Sequence, residues 1–199
     1  MIAIIDYGVG NLFSLKSSLA AIGREAVVTG DRAVLRAASH VILPGVGAFG
    51  DAAARLRAAG MAEAVLEAAA AGKPVLGICL GMQLLLERSF EYGEHPGLGL
   101  IPGEVRPIRD VIPAGLAVPH MGWNALRFPA ERPRSPIFAA LEEGEHVYFV
   151  HSYAGFACGE GLTAWTEYGA PLTAAVQRGN VYGTQFLSLI HISEPTRPY

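Results

Sequence analysis

The chain is poor in cysteine and in charge, and each shortage excludes a class of protein. Its 199 residues include two cysteines, Cys79 and Cys158, which are too few for a disulfide framework and favour a reducing, cytoplasmic location. Charged residues make up 17%, the formal net charge is −3, and no run of Lys or Arg forms a stripe, so a nucleic-acid groove is not expected.

Long apolar runs and leader signals are also missing. The N-terminus lacks the cationic region and cleavage site of a signal peptide and is typical of a first strand. The longest apolar stretch, around 75–86, is interrupted by glycines and Gln83 and is too short to span a bilayer. We therefore expect a soluble protein with neither a membrane nor a nucleic-acid partner.

Apolar residues are abundant, at 51%, and they alternate between short continuous runs and helical spacing. The predicted strands are 2–5, 26–28, 40–43 and 75–78, and the predicted helices are 12–22, 51–71 (with Leu56, Met61, Val65 and Leu66 as candidate core positions) and 82–88. This alternation predicts an α/β fold, an open and mostly parallel sheet flanked by helices.

The second half differs in character. Glycine, proline and short alternating runs dominate after residue 93, and a strand at 146–150 with paired strands at 163–166 and 174–177 predicts an added antiparallel portion. Nothing divides the chain, so we predict one domain over 1–186. Residues 187–199 carry two prolines and fit neither a helix nor a paired strand, and we interpret them as an atypical tail that is disordered or artefactual.

Cys79 lies between the apolar strand 75–78 and a helical segment, with Gly77 and Gly81 on either side. A cysteine in an apolar run is usually structural, and Cys158 keeps that interpretation. Flanking glycines instead predict a sharp, strained strand-to-helix corner that exposes the Cys79 sulfur. There the helix N-terminus is expected to lower the pKa of the thiol.

A nucleophilic cysteine needs a histidine base and usually an acid that orients it. Such partners are expected after 181–186, but the chain continues there with Leu187, Ser188 and Leu189. The catalytic set looks incomplete.

Five motifs in order carry a resemblance to a known family. They are 6–8 with 10–12, 44–47, 77–83, 120–124 and 148–153. On these motifs residues 1–186 resemble the class I (triad) glutamine amidotransferases, and more narrowly those that serve histidine biosynthesis. The resemblance implies a flavodoxin-like, three-layer α/β fold.

The resemblance also implies roles. Cys79 attacks the side-chain amide of L-glutamine and releases ammonia, and backbone N–H groups of Gly45, Val46 and Gly47 stabilise the oxyanion. The implied glutamine-binding residues are Gly47, Gln83, Glu91, His151, Ser152 and Tyr153. The residues implied to face a (β/α)8 cyclase subunit in a heterodimer are Asn11, Met121, Gly122, Trp123, Asn124 and Tyr148. Neither a cofactor nor a metal is implied.

The sequence departs from this family at one place. Members continue from Gln-Phe directly into His-Pro-Glu, the base and acid of the triad, whereas here His191 and Glu194 follow with the wrong spacing. Other interpretations therefore stay open: an inactive module that binds glutamine or the partner, another cysteine hydrolase or redox protein on the same corner, or His151 or His191 as the base. The motifs at 120–124 and 148–153 argue against another hydrolase and against a redox protein.

Overall fold

The aliphatic runs form the strands of a mixed sheet in the computed structural model, which describes residues 1–187. The strands are β1 Ile2–Ile5, β2 Ala26–Thr29, β3 His40–Leu43, β4 Val75–Ile78, β5 Arg88–Ser89, β6 His95–Pro96, β7 Glu104–Pro107, β8 His120–Ala125, β9 His146–His151, β10 Tyr153–Phe156, β11 Leu162–Glu167, β12 Pro171–Arg178 and β13 Val181–Thr184. The helices are α1 Leu12–Ala21, α2 Arg32–Ala37, α3 Phe49–Ala58, α4 Met61–Ala70 and α5 Leu80–Leu85, with 3-10 turns at Ile108–Asp110, Pro136–Phe138 and Gly159–Gly161.

The main sheet has seven strands in the order β11-β12-β13-β4-β3-β1-β2. The strands from β13 to β2 pair in parallel, and β11, β12 and β13 pair antiparallel. Smaller sheets are formed by β10-β7-β5-β6 and by the ribbon β8-β9. The predicted α/β fold, a mostly parallel sheet with an antiparallel portion, is confirmed.

The alternation of side chains along the strands builds a core on each face of the sheet. Ala3 and Ile5 are fully buried in a cluster with residues of α2, α3, α4 and α5. On the other face lies α1, which has no buried residue. A cleft of about 360 Å³ separates α1 from the sheet and is lined by Leu15, Leu19 and Ile42, among others. The predicted helix is present, but its apolar side is only half covered.

One long helix was expected over 51–71, and this prediction is wrong. The segment forms α3 and α4, which are separated at Gly60. The φ of Gly60 is +67°, a left-handed conformation that ends a helix and that glycine adopts more readily than any other residue. Leu56, Met61 and Val65 are buried as predicted, whereas Leu66 is 39% exposed. The segment therefore contains two separate ten-residue helices, and Leu66 lies on the exposed side of the second.

The helix expected over 82–88 is also displaced. It begins at Leu80, directly after Cys79, and ends at Leu85, because Leu86 is extended (φ −72°, ψ 175°) and leads into β5. The helix α2 was not predicted, and its short span is capped by the Asp31 side chain, which accepts from Ala33 N.

The predicted tail at 187–199 lies outside the described residues apart from Leu187, so the domain boundary stays a prediction. No helix between residues 1 and 187 combines the length and the apolar character that a membrane span requires.

Candidate active site

Cys79 lies on a sharp turn between β4 and α5. Its φ of 55° and ψ of −114° are strained for a residue with a side chain, as the flanking glycines predicted. A Cβ added to Gly77 would lie 2.6 Å from the Gly81 carbonyl oxygen, and one on Gly45 would lie 2.8 Å from Gly81 N. The backbones at this corner approach so closely that side chains at these positions are excluded.

The sequence-based prediction of a lowered Cys79 pKa is wrong. Burial by the surrounding protein raises the pKa of the thiol, and the N–H of Leu80 and the amide of Gln185 act in the opposite direction without reversing it. The residue is only partly exposed, which agrees with a thiol whose pKa is raised by burial. The six-residue helix α5 offers too little to offset desolvation.

Gln185 is a site residue that the sequence analysis missed. Its side chain is fully buried, and its Nε2 lies 3.7 Å from the Cys79 sulfur. Strand β13 pairs in parallel with β4, Thr184 opposite Ile78, and Cys79 N donates to Thr184 O at 2.7 Å. The sequence carries no local signal for this neighbourhood, because it arises only when β13 pairs with β4.

The proposed oxyanion segment lies against the Cys79 corner. The Tyr7 hydroxyl donates to Pro44 O at 2.8 Å, and Gly47 has a left-handed φ of +90°. Burial raises the pKa of Tyr7, and the nearby Cys79 raises it further. Val46 is 46% exposed at this edge. The structure thus brings the Tyr7 region, the 44–47 segment and the cysteine together.

Glu91 is buried, unlike an ordinary solvated carboxylate. Its Oε2 accepts from Phe49 N at 2.6 Å, at the N-terminus of α3, two residues after Gly47. The pKa of Tyr153 is raised by burial and also by Glu91, which lies close enough to act on it. A carboxylate, a phenol and the oxyanion segment therefore border one region.

Gln83 joins the implied glutamine-binding segment to the corner. Its Nε2 donates to the Tyr153 carbonyl oxygen at 3.1 Å and to Gln185 Oε1 at 2.9 Å. Ser152 lies beside Tyr153, and its carbonyl accepts from Ile108 N at 3.0 Å. Gln83 is buried, and its amide links the Tyr153 backbone to the Gln185 side chain beside Cys79.

His151 does not reach Cys79. Its Nδ1 lies 2.8 Å from Tyr153 O, and its Nε2 lies 3.1 Å from His120 Nδ1. The pKa of His151 is lowered to about 4, mainly because burial disfavours the charged ring. The nearby His120 lowers this pKa further, whereas the hydrogen bond to Tyr153 O raises it without reversing the shift. Both ring nitrogens are occupied, so the structure does not support His151 as the base. His191 lies outside the described residues.

The implied partner residues fall into two groups. Met121 and Trp123 on β8 are 60% and 49% exposed, and the Trp123 ring contacts Tyr148 edge-on with centroids 5.6 Å apart. Gly122 lies between them with a φ of +149°. Asn124 turns inward instead, with its Oδ1 2.9 Å from His120 Nε2.

Asn11 lies apart from this ribbon. It caps α1 by accepting from Ser14 N at 3.2 Å and borders the α1 cleft together with Val46. Within residues 1–187, no cluster of three or more His, Cys, Asp or Glu side chains is arranged to hold a metal ion.

Comparison with known proteins finds similarity over nearly the whole chain. The family described as glutamine amidotransferase class-I matches residues 3–186. The imidazole glycerol phosphate synthase subunit HisH of Moorella thermoacetica is 50% identical over 186 residues, which are 93% of this chain and 85% of that protein. HisH of Wolinella succinogenes is 46% identical over 187 residues, 93% of this chain and 90% of that protein.

Solved structures share the fold. A glutamine amidotransferase crystal structure has a TM-score of 0.70 at 21% identity, covering 94% of this chain and 89% of the other. PurLQS from Thermotoga maritima has a TM-score of 0.69 at 22% identity, covering 92% of this chain and 84% of the other. At these identities the likeness is one of architecture.

Proposed function

This chain belongs to the class I glutamine amidotransferase family, and from that premise we propose that it is the glutaminase subunit of an imidazole glycerol phosphate synthase in histidine biosynthesis. It hydrolyses L-glutamine to glutamate and ammonia, and the ammonia passes to a cyclase subunit that makes imidazole glycerol phosphate and AICAR. The observation that carries the proposal is the strained Cys79 corner (φ 55°), in a chain 46–50% identical to HisH subunits.

The chemistry follows from the position of the sulfur. The Cys79 thiolate attacks the side-chain carbonyl carbon of glutamine, the C–N bond breaks, and the nitrogen leaves as ammonia after taking up a proton. Water then attacks the glutamyl thioester, which releases glutamate and restores the thiol. The strained backbone supports this role because it fixes the cysteine in the sharp turn between the end of β4 and the start of α5.

Charge that develops on the carbonyl oxygen is stabilised by N–H groups of the segment Gly45, Val46 and Gly47. The contact of Gly45 with the corner and the left-handed φ of Gly47 support this assignment. Glu91 is suited to the ammonium group of glutamine, since its buried carboxylate borders the same region. Gln83 and the segment 151–153 complete the glutamine site.

The partner is a (β/α)8 cyclase subunit, and the complex is a cytoplasmic heterodimer. Support comes from the exposed ribbon β8-β9, where Met121 and Trp123 present apolar area. Asn11 and Val46 add a second exposed contact beside the oxyanion segment. A partner docked across both would adjoin the cysteine and receive ammonia without its loss to solvent.

The general base is the part of the mechanism that residues 1–187 do not supply. The described hydrogen-bond partners of the Cys79 sulfur, Leu80 N–H and the Gln185 amide, are both donors. Donors stabilise a thiolate but cannot accept the thiol proton. The base therefore has to come from beyond these contacts, where family members have His-Pro-Glu and this chain has Leu187, Ser188 and Leu189.

The test compares glutamate release in the presence of a synthase cyclase subunit by this chain and by the triple variant Leu187→His, Ser188→Pro, Leu189→Glu. We expect hydrolysis in the triple variant, a rate lower by several orders of magnitude in this chain, and loss of activity when Cys79→Ser is added. Cys158→Ser is the matched control and keeps the activity. Equal rates in both chains would show that another base serves Cys79, and cyclase binding with no hydrolysis in either would identify a binding module.

A further inference from the structure

The side chain of Gln185 lies in the interior beside the Cys79 sulfur. It is fully buried, and its Nε2 is 3.7 Å from the sulfur. A buried primary amide is costly unless its donors and acceptor are satisfied, so the direction in which this amide points is fixed by its neighbours.

The orientation can be traced from a backbone carbonyl. Tyr153 O can only accept, so the group of Gln83 that lies 3.1 Å from it must be the amide nitrogen. The same nitrogen lies 2.9 Å from Gln185, which must therefore present its oxygen. The nitrogen of Gln185 is then left facing Cys79. Rotating either amide by 180° would place two acceptors or two donors against each other.

We propose that Gln185 is a catalytic residue of this site, whose side-chain amide, oriented by Gln83, donates a hydrogen to the sulfur of Cys79 and stabilises the thiolate. The proposal rests on the nucleophilic role given to Cys79 above. A thiolate accepts a hydrogen bond more strongly than a thiol, so the donor favours the ionised form. It offsets part of the burial that raises the pKa of this cysteine.

The same contact fixes the sulfur in space. Leu80 N–H approaches Cys79 from α5, and the Gln185 amide approaches from β13, the neighbouring strand. Donors on two sides limit the directions that the sulfur can take, which helps a nucleophile to meet a bound carbonyl carbon.

The test is the pH dependence of alkylation of Cys79 by iodoacetamide in the full chain, followed by mass spectrometry of the labelled peptide. In Gln185→Met, which keeps the length and loses the donor, we expect a higher thiol pKa and alkylation about tenfold slower at pH 7. Gln177→Met is the matched control, because the Gln177 amide donates to Gly179 O near the end of β12, and its profile should equal that of the parent. A Gln185→Met profile that superimposes on the parent overturns the proposal.

Folding is monitored in the same experiment by Cys158, which is 4% exposed and becomes reactive only if the structure opens. If Cys158 is labelled in Gln185→Met, the variant has opened, and the contact is tested instead by NMR of the unaltered protein. The side-chain amide protons of Gln185 must shift when Cys79 is ionised, and no shift overturns the proposal. Alkylation and NMR report on the thiol, so a chain without glutaminase activity can still pass this test, and the two proposals fail separately.

Discussion

His120 Nδ1 lies 3.1 Å from His151 Nε2, and the two residues are paired opposite each other in the β8-β9 ribbon. The pair lies between fixed acceptors. His151 Nδ1 lies 2.8 Å from Tyr153 O, and His120 Nε2 lies 2.9 Å from Asn124 Oδ1. The Asn124 side chain is held in this orientation because its Nδ2 donates to Glu167 O. Three contacts between acceptors need three hydrogens, and two neutral imidazoles supply two.

The first prediction concerns tautomers. The two shorter contacts hold the hydrogens at neutral pH, so His151 carries its proton on Nδ1, and His120 carries its proton on Nε2. The 3.1 Å contact between the rings then lacks a hydrogen and gains one only on acidification. Long-range ¹H–¹⁵N NMR spectra at pH 7.5 identify the protonated nitrogens. A His151 ring protonated on Nε2 would contradict this arrangement.

The second prediction is the effect of pH on stability. The pKa of His151 falls from 6.5 to about 4 in the folded protein because burial disfavours its charged form. The unfolded chain binds more protons between these values, so the contribution of His151 is fully present above pH 6.5 and is lost as the pH falls towards 4, at up to about 1.4 kcal/mol per pH unit. Urea unfolding at several pH values measures this slope.

The comparison that isolates His151 uses two variants. The free energy of unfolding of His151→Gln should depend less on pH between 6.5 and 4 than that of the parent. His146→Gln, at the exposed start of the same strand, should keep the parental slope of stability against pH. Equal slopes in the parent and His151→Gln would show that other groups control acid unfolding.

The third prediction tests the packing of the Cys79 corner. Gly45→Ala would bring a methyl group to 2.8 Å from Gly81 N and 2.9 Å from Leu80 Cβ, so the free energy of unfolding should fall by about 1–3 kcal/mol. Gly115→Ala is the matched control, because no atom lies within 4 Å of its added Cβ, and its effect should stay within about 0.5 kcal/mol. Equal stability of both variants by urea unfolding would show that the corner can relax.

The fourth prediction concerns the exposed ribbon. If a cyclase subunit docks there, Trp123→Ala should weaken its binding by about 2 kcal/mol or more, as expected for a central aromatic side chain. Val111→Ala, an apolar truncation at a residue 45% exposed outside the ribbon, is the control and should leave the affinity unchanged. Titration calorimetry measures both. An unchanged affinity in Trp123→Ala would place the interface elsewhere.

The sequence was sufficient where a local pattern decides the structure. Continuous aliphatic runs become the central strands, and the glycines around Cys79 allow its strained turn. The break at Gly60 was missed because alanine-rich sequence favours helix on both sides of it, and only its left-handed φ reveals the interruption.

Features that depend on distant contacts could not be read from the sequence. The pKa of Cys79 is set by burial, which arises from segments far away in the chain. Gln185 becomes a neighbour of Cys79 only because β13 pairs with β4, more than 100 residues earlier. Glu91 is buried because it caps α3, whose start could not be located from its composition.

The carbonyl oxygen of Tyr153 has one further consequence, because it accepts from both Gln83 and His151. Its two lone pairs are both used, so a displacement of this single peptide group lengthens two hydrogen bonds at once. The buried imidazole pair of the β8-β9 ribbon and the amide pair beside the cysteine therefore meet at one carbonyl oxygen. One peptide carbonyl is thus a common anchor for the histidines of the ribbon and for Gln83, which contacts the amide beside the sulfur.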